Sequence, residues 1–221
     1  MLRSLLLYGL LERRVPVDTY GCGNGAWNVA SSSICADSVV VSAGVGRDIS
    51  FDLELSKQHA CRIVMVDPSP TGADTITRYQ PLPERLTFES IGLAKLDGIM
   101  KFATPSHPEE GSFRLHGEAT SQKTHEFRCE RVQTFMQRHG FAAIDLLKLD
   151  IEGFEYGVLE DVLSSNCIVK QICVEFHHGI VPRISRWQTI TAMLKLILSG
   201  YRLVNHNGLN HTFVAAHVLR S

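Results

Sequence analysis

The chain has 221 residues, a formal net charge of −1, 44% hydrophobic and 20% charged residues. These values exclude a disordered chain. The near-zero charge excludes a general nucleic-acid binder, whose affinity needs a basic surface. The length suits a single α/β domain over residues 1–221 that buries a full core of its own.

Residues 1–11 form a short apolar run followed by Arg13 and Arg14. The run is too short to span a bilayer and lacks a small-residue cleavage site, so an amphipathic helix ending before Pro16 is expected and no membrane span. Ser38–Ser42 reads as a buried strand that runs directly into Gly44 and Gly46. Residues 48–58 alternate like a strand at Ile49, Phe51, Leu53 and Leu55, but a helix is expected there, because parallel strands need a crossover. Further apolar runs follow at 62–67, 86–91, 144–150 and 171–175, and the last two lie at 201–205 and 212–217. Continuous apolar runs suit strands covered on both faces.

Helical stripes lie between these runs. Val132, Phe135, Met136 and His139 share one face, with Gly140 as the stop. Phe154, Val158, Leu159, Val162 and Leu163 form a second stripe. Trp187, Ile190, Leu194, Ile197 and Leu198 form a third, ending at Gly200. The last two strands have only Gly208 and neighbouring asparagines between them. The pattern predicts an α/β fold: a doubly wound, mostly parallel seven-stranded sheet with a C-terminal antiparallel hairpin. Residues 104–126 carry Pro105, Pro108, Gly111, Gly117 and three histidines, and read as an inserted lid or hairpin. The six cysteines contain no C-x-x-C pair. Reduced, mostly buried thiols in a cytoplasmic protein are expected.

In an open α/β sheet, ligands bind beyond the carboxyl ends of the strands. Gly44 and Gly46 stand there, and so do Asp67, Asp150, Glu152, Glu175 and His177. The glycines allow a tight turn and close backbone approach. They do not complete G-x-G-x-x-G, since position 49 is Ile49, and no G-K-[S/T] follows. An NAD-dependent or nucleotide-sugar oxidoreductase is therefore disfavoured. A nucleoside without phosphates fits better, with Asp67 suited to a ribose diol.

Leu146-Leu-Lys-Leu-Asp-Ile-Glu-Gly-Phe-Glu155 resembles the hallmark segment of FkbM-type methyltransferases dependent on S-adenosylmethionine (SAM). Ser42–Asp52 resembles that family's first SAM motif, Val66-Asp-Pro-Ser-Pro70 its ribose motif, and Ile91-Gly-Leu93 its third-strand motif. Tyr20–Trp27 is similar to a Gly-Gly-Trp loop upstream in some members. The resemblance implies a class I, Rossmann-like methyltransferase, with a cofactor-covering loop within residues 1–36. It implies SAM contacts from Ser42, Gly44, Gly46, Asp48, Ser50, Asp67, Pro68, Ser69, Ile91, Gly92, Asp150 and Glu152. Many class I enzymes carry an acid where Ser42 stands, so Asp48 or Asp52 is expected to replace its contact with the methionine ammonium.

For Asp48 and Ser50, N-capping of the next helix is an equally natural role. Glu152 reads as an acid in a helix's first turn, Glu155 as solvent-facing or structural, and Trp27 as a core aromatic or a lid over the cofactor. The resemblance implies transfer to a hydroxyl of a small molecule or saccharide; no oligomeric state is implied. Asp150, Glu175 and His177 are the candidate bases. His177 follows Glu175 by two residues, so both face one way on an extended strand, and Glu175 is expected to orient the imidazole and raise its pKa. The same three residues suit Mg²⁺, which gives metal-assisted transfer as an alternative. A catalytically inactive methyltransferase-like scaffold is the non-enzymatic alternative, with Ser42 in place of the acid as its one sign.

Overall fold

The computed structural model describes residues 14–104, 113–115, 124–182 and 184–220. The expected first helix and most of the 104–126 insertion fall outside the described residues. Strands β1 (Asp18–Tyr20) and β2 (Trp27–Val29) form an antiparallel ribbon. Strands β3 (Val39–Ala43), β4 (Arg62–Val66) and β5 (Leu86–Glu89) then alternate with helices α1 (Ser50–His59) and α2 (Pro70–Arg78). Four short strands follow: β6 (Gly92–Leu93), β7 (Gly98–Ala103), β8 (Arg114–Leu115) and β9 (Thr124–Glu130). The chain continues through α3 (Val132–His139), β10 (Leu146–Leu149), α4 (Glu155–Ser164), β11 (Gln171–Glu175), α5 (Arg186–Leu198), β12 (Tyr201–Asn207) and β13 (Asn210–Ala215).

The main sheet has seven strands in the order β12-β13-β11-β10-β3-β4-β5. The five strands from β11 to β5 run parallel, and β13 is antiparallel to both its neighbours. This is the predicted mostly parallel sheet with a closing hairpin, which turns at Gly208 (φ +61°). The helix expected over 48–58 is present as Ser50–His59, because β3 and β4 are parallel neighbours and only a crossover can join them.

Alternation along each strand sends side chains to opposite faces. Val41, Val64, Leu147 and Ile172 pack on one face against Phe135, Val158 and Leu196 of α3, α4 and α5. Val40, Ile63, Leu146 and Cys173 pack on the other against Phe51 and Leu55 of α1, Ile76 of α2 and Trp27 of the ribbon. The sheet is therefore wound on both sides. Gly140 ends α3 with φ +67°, as its glycine predicts, and Ala60 ends α1 in the same left-handed region. Ser69 and Pro70 start α2, which periodicity alone leaves unmarked: Ser69 Oγ accepts the Gly72 amide at 3.1 Å.

A second sheet orders the short strands β6-β9-β7-β8. It begins at Gly92, upstream of the stretch that reads as an insertion. Its inner face carries Phe102 and Phe127, which pack with Phe113 and Phe154. All six cysteines are free; Cys61, Cys129 and Cys173 are buried, but Cys22 and Cys35 are exposed. Half the thiols are thus fully covered, where most were expected to be.

Candidate active site

The carboxyl ends of β3, β4 and β10 meet at a cavity of about 280 Å³. After β3 the chain turns at Gly44 (φ +90°) and Gly46 (φ +53°). A Cβ on Gly44 would stand 1.8 Å from the Asp150 carbonyl oxygen, so only glycine fits there. Asp67, at the end of β4, holds this turn. Its Oδ2 accepts the amides of Val45 and Gly46, both at 3.0 Å, and its Oδ1 accepts the Ser69 amide at 2.8 Å. A carboxylate has about four lone-pair sites, so three amides leave place for one further donor. Asp67 therefore shapes the glycine turn before it contacts any ligand.

On the opposite side, Asp48 Oδ1 accepts the Ser50 amide at 2.7 Å, and Ser50 Oγ accepts the Cys22 amide at 3.1 Å. Both residues thus tie the ribbon's loop to the start of α1. Trp27 is buried in the core beside α1 and also lines the cavity. Beneath it lies Lys148, whose Nζ donates to the Gly44 carbonyl at 2.7 Å and stands 5.1 Å from the Trp27 ring centroid.

The carboxylates converge beyond β10. The turn after Leu149 puts Glu152 at φ +53° and Gly153 at φ +106°. A left-handed glutamate is uncommon, and Glu155 explains how it is held. The Glu155 carboxylate is fully buried and accepts the amides of Ile151 (3.0 Å) and Gly153 (2.9 Å). Glu155 Oε1 also lies 2.8 Å from His177 Nδ1. His177 Nε2 faces Asp150 Oδ1 at 3.6 Å and Glu152 Oε2 at 3.7 Å. One ligand atom each from Asp150, Glu175 and His177 fall within 4.8 Å of one another. Burial pulls the imidazole pKa down, but the Glu155, Glu152 and Asp150 carboxylates outweigh it and lift His177 to about 9. Burial and the neighbouring Asp150 push Glu175 up to about 7.

Of the residues expected at the cofactor, Gly44, Gly46, Asp48, Asp67, Pro68, Ser69, Gly92, Asp150 and Glu152 line the cavity. Ser42, Ser50 and Ile91 do not; Ile91 packs in the core, and Leu93 takes the wall beside Gly92. Glu175 and His177 reach the site through Asp150. Of the two roles open to Glu155 the structure takes the structural one, since it is wholly buried. Two expectations need correction. Glu152 precedes α4 in a left-handed turn, not in the helix's first turn. The imidazole's closest partner is Glu155, not Glu175. His178 turns away, as its strand parity predicts, to Thr189 Oγ1 at 3.0 Å. Sequence reasoning left out Lys148, Phe102 and Phe154 as cavity residues. Lys148 had one signal: a lysine inside an otherwise apolar strand.

A model of the methyltransferase FkbM domain matches residues 14–203. The chain belongs to the FkbM methyltransferase family. The mostly parallel sheet and closing hairpin are the fold expected from the sequence. No curated protein sequence matches the chain significantly. Among solved structures, the fibrillarin pre-rRNA processing protein of Methanococcus jannaschii aligns at 9% identity and TM-score 0.47, over 83% of this chain and 69% of that one. A transferase described as putative from Pyrococcus horikoshii aligns at 8% and 0.38, over 90% and 71%. Human N-acetylserotonin methyltransferase in complex with SAM aligns at 12% and 0.38, over 81% and 47%. The FkbM assignment rests on the domain match, and no helix among the described residues is long and apolar enough to cross a membrane. The cavity suits the cofactor of an FkbM methyltransferase: a glycine turn for close approach, a clamped carboxylate at Asp67, and an apolar wall from Leu93 and Phe102.

Proposed function

We propose that this chain methylates a hydroxyl of a small molecule or saccharide with SAM, and that Glu175 takes the hydroxyl proton. The observation that supports this reading is the position of Asp150. It lines the cavity and also belongs to the Asp150–Glu175–His177 group. The cavity and two candidate proton acceptors, Asp150 and Glu175, therefore adjoin.

When bound, SAM supplies a methyl group on a sulfonium that is already a good leaving group. The chain's own residues then have two tasks. Asp67 and the Gly44–Gly46 turn hold the nucleoside, which supplies alignment. Glu175 removes the acceptor's proton; its pKa near 7 suits a general base at neutral pH. His177, lifted to about 9, carries its proton at neutral pH and offsets the surrounding carboxylates. It acts as a positioning residue, in place of the base role expected from its spacing.

The test is release of S-adenosylhomocysteine (SAH) against a panel of hydroxylated small molecules and saccharides. The expected result is turnover with hydroxyl acceptors, lost in Glu175→Gln while SAM still binds. Turnover with amine acceptors alone would overturn the hydroxyl reading.

A second reading is favoured by the same geometry. Two carboxylates and an imidazole within 4.8 Å make a donor set for a hard divalent cation such as Mg²⁺. Such an ion would orient an acceptor hydroxyl and lower its pKa. Chelation separates the two readings, as set out in the Discussion.

A further inference from the structure

Two buried charges in the cavity are not used by the mechanism above. Asp52, on α1, is 2% exposed, and Lys148, on β10, is 5% exposed. Both line the cavity on the side of Trp27. A buried charge is costly unless it is paired and hydrogen-bonded. Among the described residues no ion pair joins Asp52 to Lys148. Asp52 Oδ1 is buried with no hydrogen-bond partner, and so is Ser42 Oγ. Lys148 Nζ has three donors, and its one hydrogen bond goes to the Gly44 carbonyl.

An anion and a cation that face one cavity without bonding each other complement a zwitterion. Resting on the SAM reading, we propose that Asp52 and Lys148 hold the amino-acid arm of the cofactor. Asp52 receives the α-ammonium and Lys148 the α-carboxylate. This choice separates the two acids left open by the sequence. Asp48 already spends its carboxylate on the Ser50 amide and is pressed against Gly25, where a Cβ would stand 2.5 Å from Oδ2. Asp52 has an oxygen to give. Burial raises its carboxyl pKa, and Lys148 opposes the rise.

The test is calorimetric titration with two probes, SAH and 5′-methylthioadenosine. They share the nucleoside thioether, and only SAH has the amino-acid arm. The wild type is expected to bind SAH at least about tenfold more tightly than methylthioadenosine, because a site built for a polar group discriminates against its absence. Asp52→Asn and Lys148→Met are each expected to lose at least about tenfold in SAH affinity while methylthioadenosine stays within about twofold. Equal wild-type affinity for the two probes overturns the inference without any variant. Unchanged SAH affinity in both variants overturns it too. An equal fall for both probes also overturns it, since Lys148 would then serve only to shape the Gly44 turn. Binding of neither probe to the wild type would instead bring down the SAM reading itself.

Discussion

Glu155 reaches out of the first turn of α4 to lie 2.8 Å from the His177 imidazole, while its two oxygens accept the amides of Ile151 and Gly153. One fully buried carboxylate thereby holds the left-handed turn at Glu152 and sets the imidazole beside Asp150. Removing its charge should cost stability as well as position. Glu155→Gln keeps the shape but replaces one acceptor oxygen by a donor. Urea unfolding at pH 7 should show a loss of about 1–3 kcal/mol, the range for a buried group left unsatisfied. Wild-type stability in the variant would mean that the turn holds itself.

The charge on His177 makes a pH-dependent contribution of known sign. Its pKa is 6.5 ordinarily and about 9 in the folded chain. A raised pKa stabilises the fold fully below the unfolded value, and the benefit is lost as pH rises through the folded value. The stability difference between wild type and His177→Gln should therefore be largest below pH 6.5 and shrink toward pH 9. A difference that grows with pH would show that the imidazole is buried neutral.

Glu175 should show the kinetic pattern of a proton acceptor. Glu175→Gln is expected to lower kcat at least about tenfold, with SAM affinity within about twofold. The rising limb of the pH–rate profile, centred near 7 in the wild type, should vanish. Near-normal kcat in the variant would move the role to Asp150.

Chelation distinguishes proton transfer by side chains from metal assistance. If Asp150, Glu175 and His177 hold a cation, EDTA should abolish turnover and Mg²⁺ or Mn²⁺ should restore it. On the favoured reading, activity is expected to persist in chelator.

Asp67 should matter to the fold before it matters to the cofactor. Asp67→Ala leaves the amides of Val45, Gly46 and Ser69 without their acceptor. A loss of about 2–4 kcal/mol in unfolding free energy is expected, from several buried donors left unpaired. Weaker SAM binding with unchanged stability would show that the carboxylate serves the ligand alone.

The main sheet was legible because its evidence is local. Runs such as Val39–Ala43 and Leu146–Leu149 are mostly apolar, as strands covered on both faces require. Stop signals at Gly140, Gly200 and Gly208 sit where the chain needs a positive φ. The strands at 92–93 and 114–115 carry no such signal. They are two residues long and depend on partners far along the chain.

The site was legible in part for the same reason. Asp67, Asp150 and Glu175 end strands, and strand ends can be read from hydropathy. Glu155 stayed open between exposure and a structural role because charge usually marks exposure. Its burial follows from two amides in the turn before it, which no periodicity announces. Its meeting with His177 joins two separate strand-end segments. Lys148 was overlooked for the opposite reason: its strand was read for apolar content, and the one cation in it went unexamined.

The contact between Gly44 and Asp150 leaves no space for even a methyl group between the two turns. On the proposed function, a donor-facing turn and an acceptor-facing acid are thus parts of one rigid frame. Changing which molecule is methylated by altering residues 150–155 would disturb the nucleoside seat as well. The far side of the four-stranded sheet is under no such constraint. Phe113, just ahead of β8, lines the cavity, and substitutions there can reshape the acceptor's room while the frame stays in place. Selection for a new acceptor, natural or in the laboratory, should accumulate its changes on that sheet.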